Sequence, residues 1–181
     1  DQSQIWRVMA LIAILGLLAA VLLLRTGGNV MEDKKSGGAV VGMSKNQFVV
    51  RFREAWNRVE TRHIAQSLAL ALAAHETGWG TGHVFQMTNN LFSLTKASDW
   101  KGPTWTAGTG LVFEKYDTWE AAIFEFCRWL SVKPHVKTAY AYAVAGKYKE
   151  FFAELQRVGY NGGADRAQYA AMLTKTYQEV A

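Results

Sequence analysis

Residues 63–82 read HIAQSLALALAAHETGWGTG, and the fold turns on this stretch. From His63 to Thr77 the run is rich in Ala and Leu and apolar nearly all round. A helix of that kind belongs at the buried centre of a domain, not on its surface. Gly78 supplies the left-handed residue that stops such a helix, so a helix over His63–Thr77 is predicted. Its last turn carries Glu76, with Gly78, Trp79, Gly80 and Gly82 just beyond. This is an unfavourable place for an anion. The helix C-terminus bears partial negative charge, and apolar neighbours further disfavour the ionised form. A carboxyl kept protonated near neutral pH can act as a general acid. The plainer alternative is a helix-ending Glu that simply faces water.

Working outward, Ser44 and Gln47 form a capping box, and Phe48, Phe52, Trp56 and Val59 follow at helical spacing. A helix over Lys45–Val59 is predicted. Thr81–Leu94 reads as irregular. Lys101–Glu114 holds glycines and a proline among β-branched and aromatic residues, which predicts a short hairpin. Thr118 caps a helix over Trp119–Val132, Pro134 breaks the chain, and two helices follow, near His135–Ala145 and Lys147–Val158. Asn161-Gly162-Gly163 is a turn, and Asp165 with Gln168 opens a last helix to Val180. The predicted fold is mainly α with one small β excursion, over residues 43–181.

The N-terminal part has another character. Val8–Leu24 carries no charge, and with Ile5, Trp6 and Arg7 the apolar span covers residues 5–24. About 20 such residues cross a bilayer's hydrocarbon core. Trp6, Arg7 and Arg25 sit where interfacial anchors belong. The run exceeds the apolar stretch of a cleavable signal peptide, typically about 7–15 residues. Residues 1–25 are therefore expected to be a transmembrane anchor, with the lipid bilayer as partner. Residues 26–42 contain five glycines and mixed charges, and read as a flexible tether.

Composition narrows the function. The 181 residues are 50% apolar and 19% charged, which excludes a wholly disordered chain. The single cysteine, Cys127, excludes an internal disulfide, and its apolar surroundings make it a core residue. The net charge of +5 suits a polyanionic partner. The basic residues form no dense run, so nucleic acid is not expected. His75-Glu76 lacks the second histidine of a zinc-peptidase helix, since residue 79 is Trp. No metal and no cofactor are expected. His63 and His135 read as surface residues near helix starts, and Tyr140, Tyr142 and Tyr148 as packing residues.

Five motifs in chain order carry a resemblance. They are Glu76-Thr77-Gly78-Trp79-Gly80, Asn90-Leu91-Phe92, Trp100-Lys101-Gly102-Pro103, Phe113-Glu114-Lys115-Tyr116-Asp117-Thr118, and Gly159-Tyr160 with Tyr169-Ala170-Ala171-Met172-Leu173 beyond. Together, from about Ser67 to Val180, they resemble the glucosaminidase domain of glycoside hydrolase family 73, which includes the flagellar rod-cap, autolysin and phage wall-hydrolase types. The resemblance implies a lysozyme-like helical domain with a small β hairpin. It implies cleavage of β-1,4 links in peptidoglycan glycan strands. It makes Glu76 the general acid, puts Tyr160 at the reaction centre and sets Asn90 after the catalytic helix.

Trp79, Asn90, Phe92, Trp100 and Trp105 are the expected substrate-binding residues, with Trp100 and Trp105 equally readable as hairpin packing. The family's second acid lies in the hairpin, often within Thr-Glu-Tyr/Phe-Glu. Here Thr104–Leu111 contains no acid. Glycosidases usually use two carboxyl groups, and the candidates left are Glu114, Asp99 and Asp117. Glu114 stands where the family often has a basic residue, and Asp117 reads as support for the Thr118 cap. Assistance by the substrate's N-acetyl group, a lytic transglycosylase, or a weakened or inactive structural, glycan-binding protein are the alternatives. The expected role is local wall opening by a membrane-anchored enzyme, in a virion during genome entry or in a bacterial inner-membrane complex facing the wall. Other virion or envelope proteins are then its partners.

Overall fold

A computed structural model describes residues 43–160 and 166–181. The expected anchor (1–25), the tether (26–42), the Asn161–Gly163 turn and the Asp165 cap lie outside the described residues. Among the described residues no helix is long and apolar enough to cross a membrane.

Helix α1 spans Lys45–Trp56 and opens with the expected reciprocal cap: Gln47 N donates to Ser44 Oγ and Ser44 N donates to Gln47 Oε1. It stops three residues before Val59. Arg58 N bonds Ala55 O and Val59 N bonds Trp56 O, the tighter pattern of a closing turn. Helix α2 spans Gln66–Thr77. It starts later than His63 because Arg62 and His63 both have positive φ, 52° and 63°, which no helix interior tolerates. Leu68 to Ala74 are all fully buried, as the all-round apolar run requires. Gly78, at φ 54°, ends the helix with its N–H on Ala74 O and His75 O.

The stretch expected to be irregular contains helix α3, His83–Thr88. It has no side-chain cap and only two buried residues, Phe85 and Thr88. Six residues are too few for a periodic signal, so burial of Phe85 decides the structure there. Strands β1 (Thr104–Thr106) and β2 (Val112–Glu114) pair antiparallel, with Trp105 opposite Phe113, as the predicted hairpin. Helix α4 spans Trp119–Val132, with Ala121 N donating to Thr118 Oγ1. Pro134–Val136 is a single 3-10 turn, so α5 begins only at Lys137 and runs to Val144. Helices α6 (Tyr148–Arg157) and α7 (Arg166–Val180) complete the domain.

Helix α2 is the axis. It packs against α1 on one side and α7 on another, and α7 in turn packs on α6. Phe92 stacks on Phe126 at 3.9 Å and meets Phe52 edge-on at 6.4 Å, tying the loop after α3 to α4 and α1. Cys127 is fully buried in the same core, and burial pushes its thiol up to about 12.

Asn90 holds the loop after α3 against β2. Its amide donates to Leu94 O (2.8 Å) and Glu114 O (2.9 Å), and its Oδ1 accepts from Phe92 N and Leu94 N. Truncation strands these buried groups, each at a cost of about 1–3 kcal/mol. Asn90→Ala is therefore expected to lose roughly 3 kcal/mol or more in urea unfolding. An unchanged midpoint would refute this role.

Candidate active site

Glu76 lies at the C-terminal end of α2, where four stretches of chain converge. Tyr169, from α7, donates its hydroxyl to Glu76 Oε1 at 2.5 Å. Ser93, in the loop after α3, lies near the same carboxyl and favours its ionised form. Tyr160, which follows Gly159 (φ 76°), stacks on Tyr169 at 6.4 Å and donates its hydroxyl to Phe92 O at 2.6 Å. His75 meets the edge of Tyr169 at 5.6 Å. Glu76 keeps partial contact with solvent while protein surrounds it on most sides.

Burial sets the electrostatics. It raises the Glu76 pKa above the ordinary 4.5, and the donors Tyr169 and Ser93 pull the other way without cancelling it. Burial also lifts Tyr160 and Tyr169 well above the usual tyrosine range, with the Glu76 charge adding to it. Both phenols therefore stay neutral and keep their protons as donors. Burial lowers His75, which stays an uncharged ring against Tyr169. The result is a carboxyl biased toward its acid form and held by the Tyr169 hydroxyl, with no ion pair to it among the described residues.

The structure brings Glu76 and Tyr160 into one neighbourhood and separates the other expected residues from it. Asn90 is 1% exposed with all its polar atoms engaged, so it braces the loop and presents nothing to a ligand. The Phe92 ring is likewise buried in the Phe126 stack; only its carbonyl reaches the site, through Tyr160. Neither side chain is open to solvent in this structure. Trp79 (φ 59°) rests edge-on against Phe48, with Lys45 Nζ 4.5 Å from its ring centroid, so it fastens the Gly78 turn to α1. Trp100 Nε1 donates to Pro103 O, and the ring lies against Gly102, where a Cβ would fall 2.3 Å away. Trp105 remains partly exposed beside His83 on the hairpin face, and is the expected ring best placed to meet a ligand.

Neither expected second acid is free. Asp99 is exposed, and a hydrogen bond from Lys133, with Arg128 nearby, holds its carboxyl below the usual range. Glu114 is 2% exposed and accepts from Tyr116 Oη and Ala97 N. Burial raises its pKa against those donors. The sequence reading gave no role to Tyr169 or Ser93. Tyr169 lies in line with Leu173 at helical spacing, which looks like ordinary core. Nothing in the sequence signals that Ser93 adopts φ 51° and turns toward the acid. Among the described residues no group of three or more His, Cys, Asp or Glu side chains converges as metal ligands would.

A half-buried acid at the end of a central helix, flanked by neutral phenols beside a small hairpin, is consistent with a lysozyme-like glycoside hydrolase. Residues 52–181 match the family model described as Glucosaminidase, mannosyl-glycoprotein endo-beta-N-acetylglucosaminidase, and the chain belongs to that family. The fold is similar to a peptidoglycan hydrolase from Sphingomonas sp. A1, at 24% identity and TM-score 0.60 over 74% of this chain and 87% of that one. It is similar to the glycoside hydrolase domain of FlgJ from Salmonella typhimurium, at 25% identity and TM-score 0.54 over 76% and 89%. It is also similar to the catalytic domain of the autolysin Auto from Listeria monocytogenes, at 18% identity and TM-score 0.56 over 92% and 94%. No curated protein sequence matches the chain.

The raised Glu76 pKa has a sign that can be checked. The folded state holds the proton more tightly than the unfolded chain, so this contribution to stability is full below the ordinary 4.5 and is lost as pH rises through the folded value. Glu76→Gln keeps an acceptor for Tyr169 and removes the ionisation. The variant is expected to melt above the wild type at pH 8, by roughly 4 °C for a gain of about 1 kcal/mol, and the gap should close near pH 4. A gap that widens on acidification would contradict the burial argument.

Proposed function

We propose that this chain is a peptidoglycan hydrolase that cuts β-1,4 links in the glycan strands, with Glu76 as general acid. The observation that carries the reading is the Glu76 carboxyl at the end of the buried helix, partly open to solvent, biased toward its protonated form and held by the Tyr169 hydroxyl. In this reading Glu76 delivers its proton to the glycosidic oxygen as the bond to the anomeric carbon breaks, so the leaving sugar departs as an alcohol. Tyr169 fixes the rotation of the carboxyl before and after the transfer. Tyr160, pinned by the Phe92 carbonyl, walls the reaction centre. The similarity to peptidoglycan hydrolases and an autolysin supports the wall as substrate.

The engagement of Asp99 and Glu114 elsewhere favours a route that needs one enzyme carboxyl. The carbonyl oxygen of the sugar's own 2-acetamido group attacks the anomeric carbon as the protonated leaving group departs, giving a cyclic oxazolinium. Water, deprotonated by the now ionised Glu76, then opens the ring and restores the acid. In a lytic transglycosylase the sugar's own 6-hydroxyl takes the place of that water, giving an anhydro product. The bond cut is read from the products. Muropeptides released from purified sacculi are expected to end in reducing N-acetylglucosamine, seen by mass spectrometry. Reducing or anhydro-N-acetylmuramic ends would move the scissile bond. Glu76→Gln is expected to lower release at least ~10³-fold, while sacculus binding stays within about threefold. Undiminished release would remove Glu76 from the mechanism.

The proposed setting is a bilayer. Val8–Leu24 is uncharged and the tether of residues 26–42 spans only about 20–25 Å on average. An enzyme so held cuts wall beside its own membrane and opens a local hole. A virion that carries a membrane and must pass its genome through a wall is the setting we favour, since the flanking charges leave orientation weakly specified. The full chain is expected to resist alkaline carbonate extraction, and deletion of residues 5–24 to release it. Recovery in purified virions supports the viral setting. Recovery in envelopes of uninfected cells moves the enzyme to a cellular complex.

A further inference from the structure

The mechanism leaves the most buried acid, Glu114, unused. Glu114 ends β2, and it grips the loop after α3 at three points. Its N–H donates to Leu94 O (3.1 Å), its carbonyl accepts from Asn90 Nδ2 (2.9 Å), and its Oε1 accepts from Ala97 N (3.3 Å). Its other carboxyl oxygen accepts from Tyr116 Oη, while Tyr116 N is bonded to Thr88 O, so both ends of the loop are tied to the same strand exit. Between the first two grips lie Phe92 and Ser93. Phe92 offers Tyr160 its carbonyl, and Ser93 lies near Glu76, where it favours the ionised carboxyl. Ser93 has φ 51°, a conformation that a non-glycine residue holds only under restraint.

We propose that Glu114 is a positioning residue for the hydrolysis: its side chain locks the 90–97 loop so that Ser93 meets Glu76 and the Phe92 carbonyl meets Tyr160. The proposal rests on the reading of Glu76 as general acid. Glu114 itself touches no part of the cleft, being 2% exposed. The charged groups that face it, Glu125 and Arg128, both come from α4 and are paired with each other. Its task is thus geometric, and it depends on hydrogen bonds more than on charge. That distinction makes it separable from a second catalytic acid. Glutamine can keep both side-chain contacts, its Oε1 accepting from Ala97 N and its Nε2 donating to Tyr116 Oη. Alanine keeps neither.

The test uses the full chain in detergent, with ¹³C-labelled glutamate, and follows the Glu76 carboxyl titration by NMR alongside muropeptide release. In Glu114→Ala the Glu76 midpoint is expected to move up, because Ser93 no longer favours the carboxylate. Its kcat should fall at least ~10-fold with KM within about threefold. Glu114→Gln is expected to restore the Glu76 titration and most of kcat. Tyr116→Phe removes one contact at nearly constant volume and should shift Glu76 in the same direction as alanine, which keeps the test open if the alanine variant does not fold. A Gln variant as inactive as Glu76→Gln would make Glu114 a catalytic acid and overturn the proposal. An unmoved Glu76 titration in both the Ala and Phe variants would overturn it too. If the wild type releases no muropeptide, the functional reading fails, and the titrations still decide whether Glu114 positions Glu76.

Discussion

Glu76 can be poised as an acid only because the helix that carries it is buried on every side. Leu68 through Ala74 expose nothing to solvent, and α1 and α7 close over α2. A helix so enclosed must deliver its last turn into protein. There the carboxyl meets low polarity and the negative end of the helix dipole together. The Gly78 stop is the other half of the constraint. With Trp79 N bonded to Ala74 O and Gly82 N to Thr77 O, the chain doubles back within a few residues, and the carboxyl stays partly open to solvent. A carboxyl at an exposed helix end would titrate normally.

The surrounding parts read as a device for aiming that one group. Tyr169 reaches it from the last helix, Ser93 from the small lobe, and Tyr160 ties the two by stacking on Tyr169 and bonding Phe92 O. The small lobe has little core of its own: its two three-residue strands present mainly Phe113 and Glu114 to the interior. It is stiffened instead by polar contacts with α3 and its loop. Asn90, Glu114 and Tyr116 make most of these. Hydrogen bonds are directional where apolar packing is not, which suits a lobe whose task is to hold one serine and one carbonyl in place.

The helical part of this arrangement was legible in sequence because its signals are local. The Ser44 box, the Thr118 cap and the Gly78 stop each sit within one turn of what they specify, and the structure has α4 at Trp119–Val132 as read. The errors fall where distant contacts decide. Helix α3 exists because Phe85 is buried, and α2 starts late because Arg62 and His63 are held in a turn capped by Glu60 and Tyr140. The site divides in the same way. Glu76 is marked by its own neighbours in sequence. Ser93 and Tyr169 acquire meaning only when strands of chain far apart come together. Asn90 and Phe92 looked like ligand contacts because their motif adjoins the site, yet the side chains serve the scaffold and only the backbone between them serves the chemistry.

The backbone itself records where the fold spends stability. Three non-glycine residues with positive φ, Trp79, Asn89 and Ser93, lie in the two turns that frame Glu76. Each costs on the order of 1 kcal/mol against an extended or helical alternative. Each is restrained by a specific contact: Lys45 and Phe48 on Trp79, the carbonyl of Tyr116 on the Asn89 amide, and Glu76 on Ser93. The restraint of Ser93 is therefore mutual. The serine orients the acid, and the acid is one of the groups that keep the serine in its strained conformation. Protonation of Glu76 weakens it as an acceptor. The turn at Ser93 is then least firmly held when the acid carries the proton it must give up, and most firmly held once that proton has gone. Under the proposed mechanism this links the loop to the state of the acid without any moving domain.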